Sequence, residues 1–134
     1  MPKKFCTAIS CIDGRIQLPV IKYLQTRFDA DYVDLITETG PNLLLSAQRD
    51  SRSVESILAK LRISVSNHDS VGIAVVGHHD CAGNPAPKAE QLAHIRDSIA
   101  FLQQHCQELE VIGLWVDENR DTSEIQGGHS QVKS

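Results

Sequence analysis

The segment VGHHDCAG at residues 76–83 places two imidazoles, a carboxylate and a thiol at four consecutive positions. It directly follows the apolar run 71–76, so these side chains stand where a buried strand ends and a loop begins. A second group of this kind, CIDGR from Cys11 to Arg15, follows another apolar run near the start of the chain. Thiolates and imidazoles are preferred ligands of zinc, and the two segments together predict a soft-metal site.

The elements that must position these residues alternate along the chain. Four apolar runs rich in β-branched residues predict strands, at residues 5–11, 32–37, 71–76 and 111–116. Three segments with apolar residues at helical spacing lie between or after them, at residues 18–28, 54–65 and 92–106. This order predicts a three-layer α/β/α fold with a mostly parallel sheet of four to five strands, buried on both faces.

In open α/β sheets, ligands bind beyond the carboxyl ends of the strands, where the strand order reverses. If strands one and three are neighbours, with strand two on the far side of strand one, the two polar segments meet at that point. Cys11, His78 and Cys81 would then form a metal site with one tetrahedral position free, as in catalytic zinc sites. One helical turn after Gly77 would put His78 and Cys81 on a common side.

Asp13 and Arg15 acquire roles from their distance to the expected ligands. Two thiolates and a neutral imidazole cancel the charge of a divalent ion, so its bound water needs further support to ionise. Asp13 can accept a hydrogen bond there, with Arg15 gripping its other edge; without Arg15, Asp13 could become a fourth ligand. The alternatives are a helix N-cap for Asp13 and a solvated base for Arg15.

Composition excludes several classes of function. The chain has 134 residues, a net charge of −4, 13 scattered Lys and Arg residues and 4% aromatic residues, which argues against binding nucleic acid. No stretch approaches the roughly 20 apolar residues of a membrane span, and the apolar stretch behind Lys3 and Lys4 is too short for a signal peptide. We therefore expect a cytoplasmic protein.

The four cysteines are expected to serve as thiols or ligands, since a reducing compartment disfavours disulfides. Cys6 lies an odd number of residues from Cys11, and Cys106 continues an apolar helical stripe, so both are predicted in the core. Residues 1–118 are predicted to form a single zinc domain, and the polar residues 119–134 a loose tail.

CIDGR and GHHDC resemble the CxDxR and HxxC signature of the β-class carbonic anhydrases, and the spacing and order of elements match over roughly residues 4–116. The resemblance, to a short and divergent member, implies that Cys11, His78 and Cys81 bind Zn²⁺ and that Asp13 and Arg15 form a catalytic dyad. It implies reversible hydration of carbon dioxide to bicarbonate by a metal-bound hydroxide, and a dimer with the active site at its interface.

The chain departs from the family pattern around the expected site. Thr37, Glu38 and Thr39 stand where the family commonly has Arg-Asn-Ala, and Ala82 intervenes before Gly83. These differences leave open a related zinc hydrolase of another small linear electrophile, such as a sulfur analogue of carbon dioxide.

Two further hypotheses involve the ligands themselves. One is a non-catalytic zinc protein whose site Asp13 closes, and the other is a redox-sensing pair of Cys11 and Cys81. His79 and Asp80, beside the ligands, are candidate proton shuttles or ordinary loop residues.

Overall fold

The computed structural model describes residues 2–48 and 50–127. The described residues contain five strands: β1 (Phe5–Cys11), β2 (Tyr32–Glu38), β3 (Ile73–His78), β4 (Val111–Val116) and β5 (Thr122–Ile125). They also contain four helices: α1 (Gln17–Arg27), α2 (Pro41–Ala47), α3 (Ser51–His68) and α4 (Lys88–His105). No helix in this part of the chain combines the length and the apolar character needed to cross a membrane.

The strands form one sheet in the order β2-β1-β3-β4-β5, and the first four are parallel. The prediction of a mostly parallel α/β sheet with strand two outside strand one is therefore confirmed. The strand order reverses between β1 and β3. Their register pairs Ile9 with Val75, so that Cys11 and His78 follow the last pair by two and three residues. Both residues therefore emerge at the same edge of the sheet.

Helices cover both faces of the sheet and create two cores. In β1, Ala8 packs into a cluster with Val20 of α1, while its neighbour Ile9 packs into a cluster with Ile57 of α3 and Ile99 of α4. Successive strand residues point to opposite faces, so each of the four parallel strands contributes to both cores. This arrangement explains why β3 is buried along its whole length.

The prediction of a loose tail from residue 119 onward is wrong for Thr122–Ile125, which pairs with β4 as the antiparallel strand β5. The chain reverses in a turn in which Asp117 Oδ1 accepts the N–H groups of Asn119 and Asp121 at 2.8 and 3.0 Å. The four residues of β5 lack the alternation of apolar and polar residues by which a strand is recognised in a sequence, so it was not predicted. Residues 128–134 of the predicted tail lie outside the described residues.

Two side chains of α1 hold β5 against the rest of the domain. Arg27 Nε donates to Glu124 Oε1 at 2.7 Å, and the Tyr23 hydroxyl contacts the same oxygen at 3.2 Å. Helix α1 thus links β5 to the parallel part of the sheet.

The helix α2 was not predicted from the sequence. Its seven residues cover too few turns to show helical periodicity. Its start nevertheless has a local signal, because Pro41 occupies the first turn and Gly40 precedes it with a φ of 59°. This entry turn brings the end of β2 close to the segment that carries Cys81.

Candidate metal centre

Three predicted ligands converge at the carboxyl ends of β1 and β3. Cys11 is the last residue of β1, His78 is the last residue of β3, and Cys81 follows in the next segment. One ligand atom from each lies within 4.8 Å of the other two, and all three side chains are buried. The two sulfur atoms are 3.8 Å apart. Residues separated by 70 positions in the sequence therefore meet in a single cluster.

The connection between His78 and Cys81 differs from the expected helical turn. β3 extends two residues beyond the predicted end, and the N–H of His79 still bonds to the carbonyl of Val116 at 2.9 Å. Asp80 then adopts a φ of 58°, in the left-handed region that reverses the chain sharply. The strand holds His78 directly, and this reversal swings Cys81 back towards it.

The imidazole of His78 is oriented by its own loop. Its Nδ1 lies 2.9 Å from the carbonyl oxygen of His79, so Nδ1 carries the proton and donates it. The other nitrogen, Nε2, is buried and, apart from the electrostatic attraction of the Cys11 thiolate, has no hydrogen-bond partner among the described residues. A buried polar atom without a partner is costly, and a lone pair fixed in this way is what a metal ion requires.

The thiols form a pair that shares a proton. Donation from the Cys81 thiol lowers the pKa of Cys11 well below its ordinary value, and the same interaction raises the pKa of Cys81. The backbone N–H of Gly40 also lowers the pKa of Cys11 and so favours the thiolate. A divalent ion can replace the shared proton because it stabilises both sulfurs as thiolates.

Asp13 and Arg15 form a two-pronged ion pair beside the ligands. Arg15 Nε lies 3.0 Å from Asp13 Oδ1, and Arg15 Nη2 lies 2.6 Å from Asp13 Oδ2. Hydrogen bonds from the Arg15 side chain hold the pKa of Asp13 far below its usual range. Asp13 does not cap α1, whose N-cap is Ile16. The catalytic role of this pair and the fourth-ligand role of Asp13 stay predictions.

Arg15 also reaches the second segment that carries candidate ligands, a contact that was not predicted. Arg15 Nη1 lies 3.3 Å from Asp80 Oδ2, and Arg15 Nη2 donates to the Asp80 carbonyl at 3.0 Å. The guanidinium therefore bridges the loop after β1 and the loop after β3. His79 and Asp80 are both exposed, and their roles in proton transfer stay predictions.

Two glycines let a third segment approach the centre. A Cβ added to Gly83 would lie 2.6 Å from the carbonyl carbon of Thr39, and one added to Gly40 would lie 2.7 Å from the carbonyl carbon of Gly83. Both distances are shorter than real Cβ contacts, so the two backbones touch only because side chains are missing. The residues that replace the family's Arg-Asn-Ala therefore lie next to the loop carrying Cys81.

The other cysteines lie away from this cluster. Cys6 is fully buried in the core beside α1, where burial raises its pKa to about 11. Cys106 follows α4 and packs against the opposite core. The predicted core position of Cys6 is confirmed, whereas Cys106 is only partly buried at the margin of the core. Their thiols serve packing and do not enlarge the ligand set.

The fold resembles that of solved carbonic anhydrases. A carbonic anhydrase from Glaciozyma antarctica aligns with a TM-score of 0.59 and 17% identity over 92% of this chain and 83% of its own. The β-carbonic anhydrase CafA of Aspergillus fumigatus aligns at 0.61 and 15% over 96% and 78%. One of two tetrameric β-carbonic anhydrases of Sordaria macrospora aligns at 0.55 and 16% over 92% and 80%. At these identities the likeness establishes the fold.

A search among curated proteins found no significant match to the chain. A protein-family model described as "putative carbonic anhydrase" does match, over residues 1–126. That span includes all five strands and every candidate ligand. The chain therefore belongs to this carbonic anhydrase family and has the β-carbonic anhydrase fold.

Proposed function

We propose that this protein is a zinc enzyme that catalyses the reversible hydration of carbon dioxide to bicarbonate. The observation that carries the proposal is the convergence of Cys11, His78 and Cys81, whose ligand atoms lie within 4.8 Å of one another. Membership of the carbonic anhydrase family supports the choice of reaction.

The donor set fits zinc. Two sulfurs and an imidazole nitrogen suit a borderline-soft ion, and a set of three leaves one tetrahedral position for water. The lone pair on His78 Nε2 and the closely spaced sulfurs of Cys11 and Cys81 are the donors that such an ion requires. Zinc bound there would act as a Lewis acid that lowers the pKa of water towards neutrality.

Asp13 and Arg15 would orient the reacting water. The ionised carboxylate of Asp13, whose pKa the Arg15 hydrogen bonds strongly lower, can only accept hydrogen bonds. Arg15 fixes the plane of that carboxylate through two prongs. An acceptor held in this way receives the O–H of the water and turns an oxygen lone pair towards the carbon of the substrate.

The same ion pair argues against a permanently closed site. Both oxygens of Asp13 are within hydrogen-bond distance of Arg15, so the carboxylate would have to break a charge-assisted interaction to bind the metal. We therefore favour an open fourth position over a purely structural zinc.

Stopped-flow hydration of carbon dioxide tests the proposal. Protein loaded with one zinc per chain is expected to show a rate that rises between about pH 6.5 and 9, as water loses a proton and becomes the hydroxide nucleophile. Chelation should abolish the rate and added zinc should restore it. A fully loaded protein that turns over neither carbon dioxide nor its sulfur analogues at any pH would instead favour the closed site. Turnover of sulfur analogues alone would establish the related hydrolase.

We also propose that the protein assembles into a homodimer or a larger homo-oligomer. Ile12 and Leu18, which flank Asp13 along the chain, are 61% and 66% exposed, and the edge strand β2 exposes Tyr32 and Leu35. Exposed large apolar side chains and an unpaired strand edge are typical of interfaces. The Sordaria macrospora relatives are described as tetrameric, which agrees with this proposal.

Light scattering is expected to give at least twice the 14.8 kDa of one chain. Leu35→Lys, which places a charge on the β2 edge, should shift the mass towards one chain. Ala59→Lys, on the exposed face of α3, should leave the mass unchanged. A wild-type protein that remains monomeric at millimolar concentration would contradict the proposal.

The proposed compartment is the cytoplasm. The thiols of Cys11 and Cys81 must stay reduced to bind a metal, and a reducing compartment maintains them.

A further inference from the structure

A glutamine holds the loop that leaves β1. Gln17 is the first residue of α1, and its Nε2 lies 2.8 Å from the carbonyl oxygens of both Cys11 and Asp13. The amide thus satisfies two carbonyls of the segment that carries the first metal ligand and the ion-pair carboxylate. It connects this loop to the rigid start of the helix.

A second glutamine holds the loop that leaves β3. Gln91 lies in the second turn of α4 and is 1% exposed. Its Nε2 lies 3.0 Å from the carbonyl oxygen of His78, 3.1 Å from that of Asn84 and 3.3 Å from that of Ala86. Its Oε1 accepts from Asn42 Nδ2 at 3.1 Å. One buried amide therefore ties both ends of the segment containing Cys81.

The segment that carries Cys81 depends on its anchor more than the segment that carries Cys11 does. Cys11 and His78 are strand residues, so the sheet already restricts them. Cys81 lies outside the strands and helices, and its position depends on the backbone between His78 and Asn84. A buried carbonyl without a donor is costly, so removing the Gln91 amide favours a rearranged loop. The distance between the Cys11 and Cys81 sulfurs would then no longer be fixed.

We propose that Gln17 and Gln91 are positioning residues of the metal centre, each clamping one ligand-bearing loop through backbone carbonyls so that the thiols and the imidazole converge before a metal binds. The proposal rests on the proposed function to the extent that the centre binds zinc. It does not depend on which reaction the bound metal supports. Gln91 has the larger effect, because the ligand that it positions is the one outside the sheet.

Zinc affinity, measured by chelator competition, gives the first test. Gln91→Met keeps the length of the side chain and removes its donors, and is expected to raise the zinc Kd by about 10- to 100-fold, as loss of an outer-shell partner does. Gln17→Met should raise it by a smaller factor. The apparent Kd is compared with the free energy of unfolding of each metal-free variant.

The chain offers two matched controls. Gln25 lies on α1 like Gln17, and its amide donates to a backbone carbonyl, that of Asp31, far from the centre. Ser98 is fully buried on α4 like Gln91, and its hydroxyl bonds to the carbonyls of Asn42 and His94. Gln25→Met and Ser98→Ala should keep the wild-type Kd within about threefold, even where Ser98→Ala lowers stability as much as Gln91→Met.

Cobalt substitution separates positioning from general stability. The thiolate-to-cobalt charge-transfer band and the visible bands report ligand geometry, and we expect them to change in Gln91→Met and stay unchanged in Ser98→Ala. Equal zinc Kd values and identical cobalt spectra for these two variants would overturn the proposal. If Gln91→Met does not fold, Gln91→Asn, which retracts the amide by one methylene, is judged by the same criteria.

The outcome distinguishes this proposal from the proposed function. A wild-type protein that binds no zinc overturns both. A wild-type protein that binds zinc but does not hydrate carbon dioxide overturns the reaction alone, since the Kd and the spectra still report on the glutamines.

Discussion

Cys81→Ser is expected to reduce the bound zinc from one ion per chain to less than about a tenth of that. A serine hydroxyl is a hard, weakly acidic donor and does not replace a thiolate at neutral pH. The remaining ligands, Cys11 and His78, provide only two donors, and carbon dioxide hydration should fall to the background rate. Metal analysis of protein purified without chelator gives the measurement.

The same substitution should also lower stability. Cys11 and Cys81 are 70 residues apart in sequence, so an ion bound between them joins the first and third strands. A ligand that binds only the folded state raises its stability, and the thermal midpoint of Cys81→Ser should therefore stop responding to added zinc.

Cys106→Ser is the matched control, because this thiol follows the far end of α4 and packs against the core. It should retain one zinc per chain and the zinc-dependent thermal shift. A Cys81→Ser protein that keeps stoichiometric zinc with the wild-type Kd would show that the ligand set is wrong.

The general position of the site was predictable because parallel strands impose it. The continuously apolar run before His78 marks a strand buried on both faces, and a polar segment directly after such a strand must lie at the carboxyl edge. The pairing of β1 with β3 then brought Cys11 to the same place. Ligand types and sheet topology were sufficient for this part.

The supporting contacts could not be predicted, since they depend on local geometry. The left-handed turn at Asp80 and the bridge from Arg15 to Asp80 follow from dihedral angles that the residue types do not specify. Gln17 and Gln91 are common helix residues whose roles arise from the carbonyls that they meet. A glutamine in the first turns of a helix after a ligand-bearing loop is the only signal that the sequence contained.

Arg15→Ala is expected to lower carbon dioxide hydration by about 10- to 100-fold while the protein keeps its zinc. The guanidinium contacts both oxygens of Asp13 and bridges to Asp80, so its loss frees the carboxylate to rotate or to enter the fourth metal position. Arg15→Lys supplies a charge without the planar fork and should restore only part of the rate. Stopped-flow rates and zinc analysis on the same samples give the measurement.

The pH dependence of the stability of Arg15→Ala gives an independent test of the Asp13–Arg15 ion pair. Arg15 lowers the pKa of Asp13 in the folded state, so the ion pair contributes stability above the ordinary carboxyl pKa of about 4, and that contribution is lost as the pH falls towards the lowered value. Arg15→Ala should therefore be less stable than the wild type at neutral pH, and the difference should shrink below about pH 4.

A double-substitution cycle shows whether Arg15 acts through Asp13. If it does, Arg15→Ala combined with Asp13→Asn should be no slower than Asp13→Asn alone, because residues that act as a unit are not additive. Arg62→Ala, on the exposed face of α3, should leave the rate unchanged. Additive losses of Arg15 and Asp13 would instead mean that Arg15 contacts the substrate or holds the Asp80 loop independently of the carboxylate.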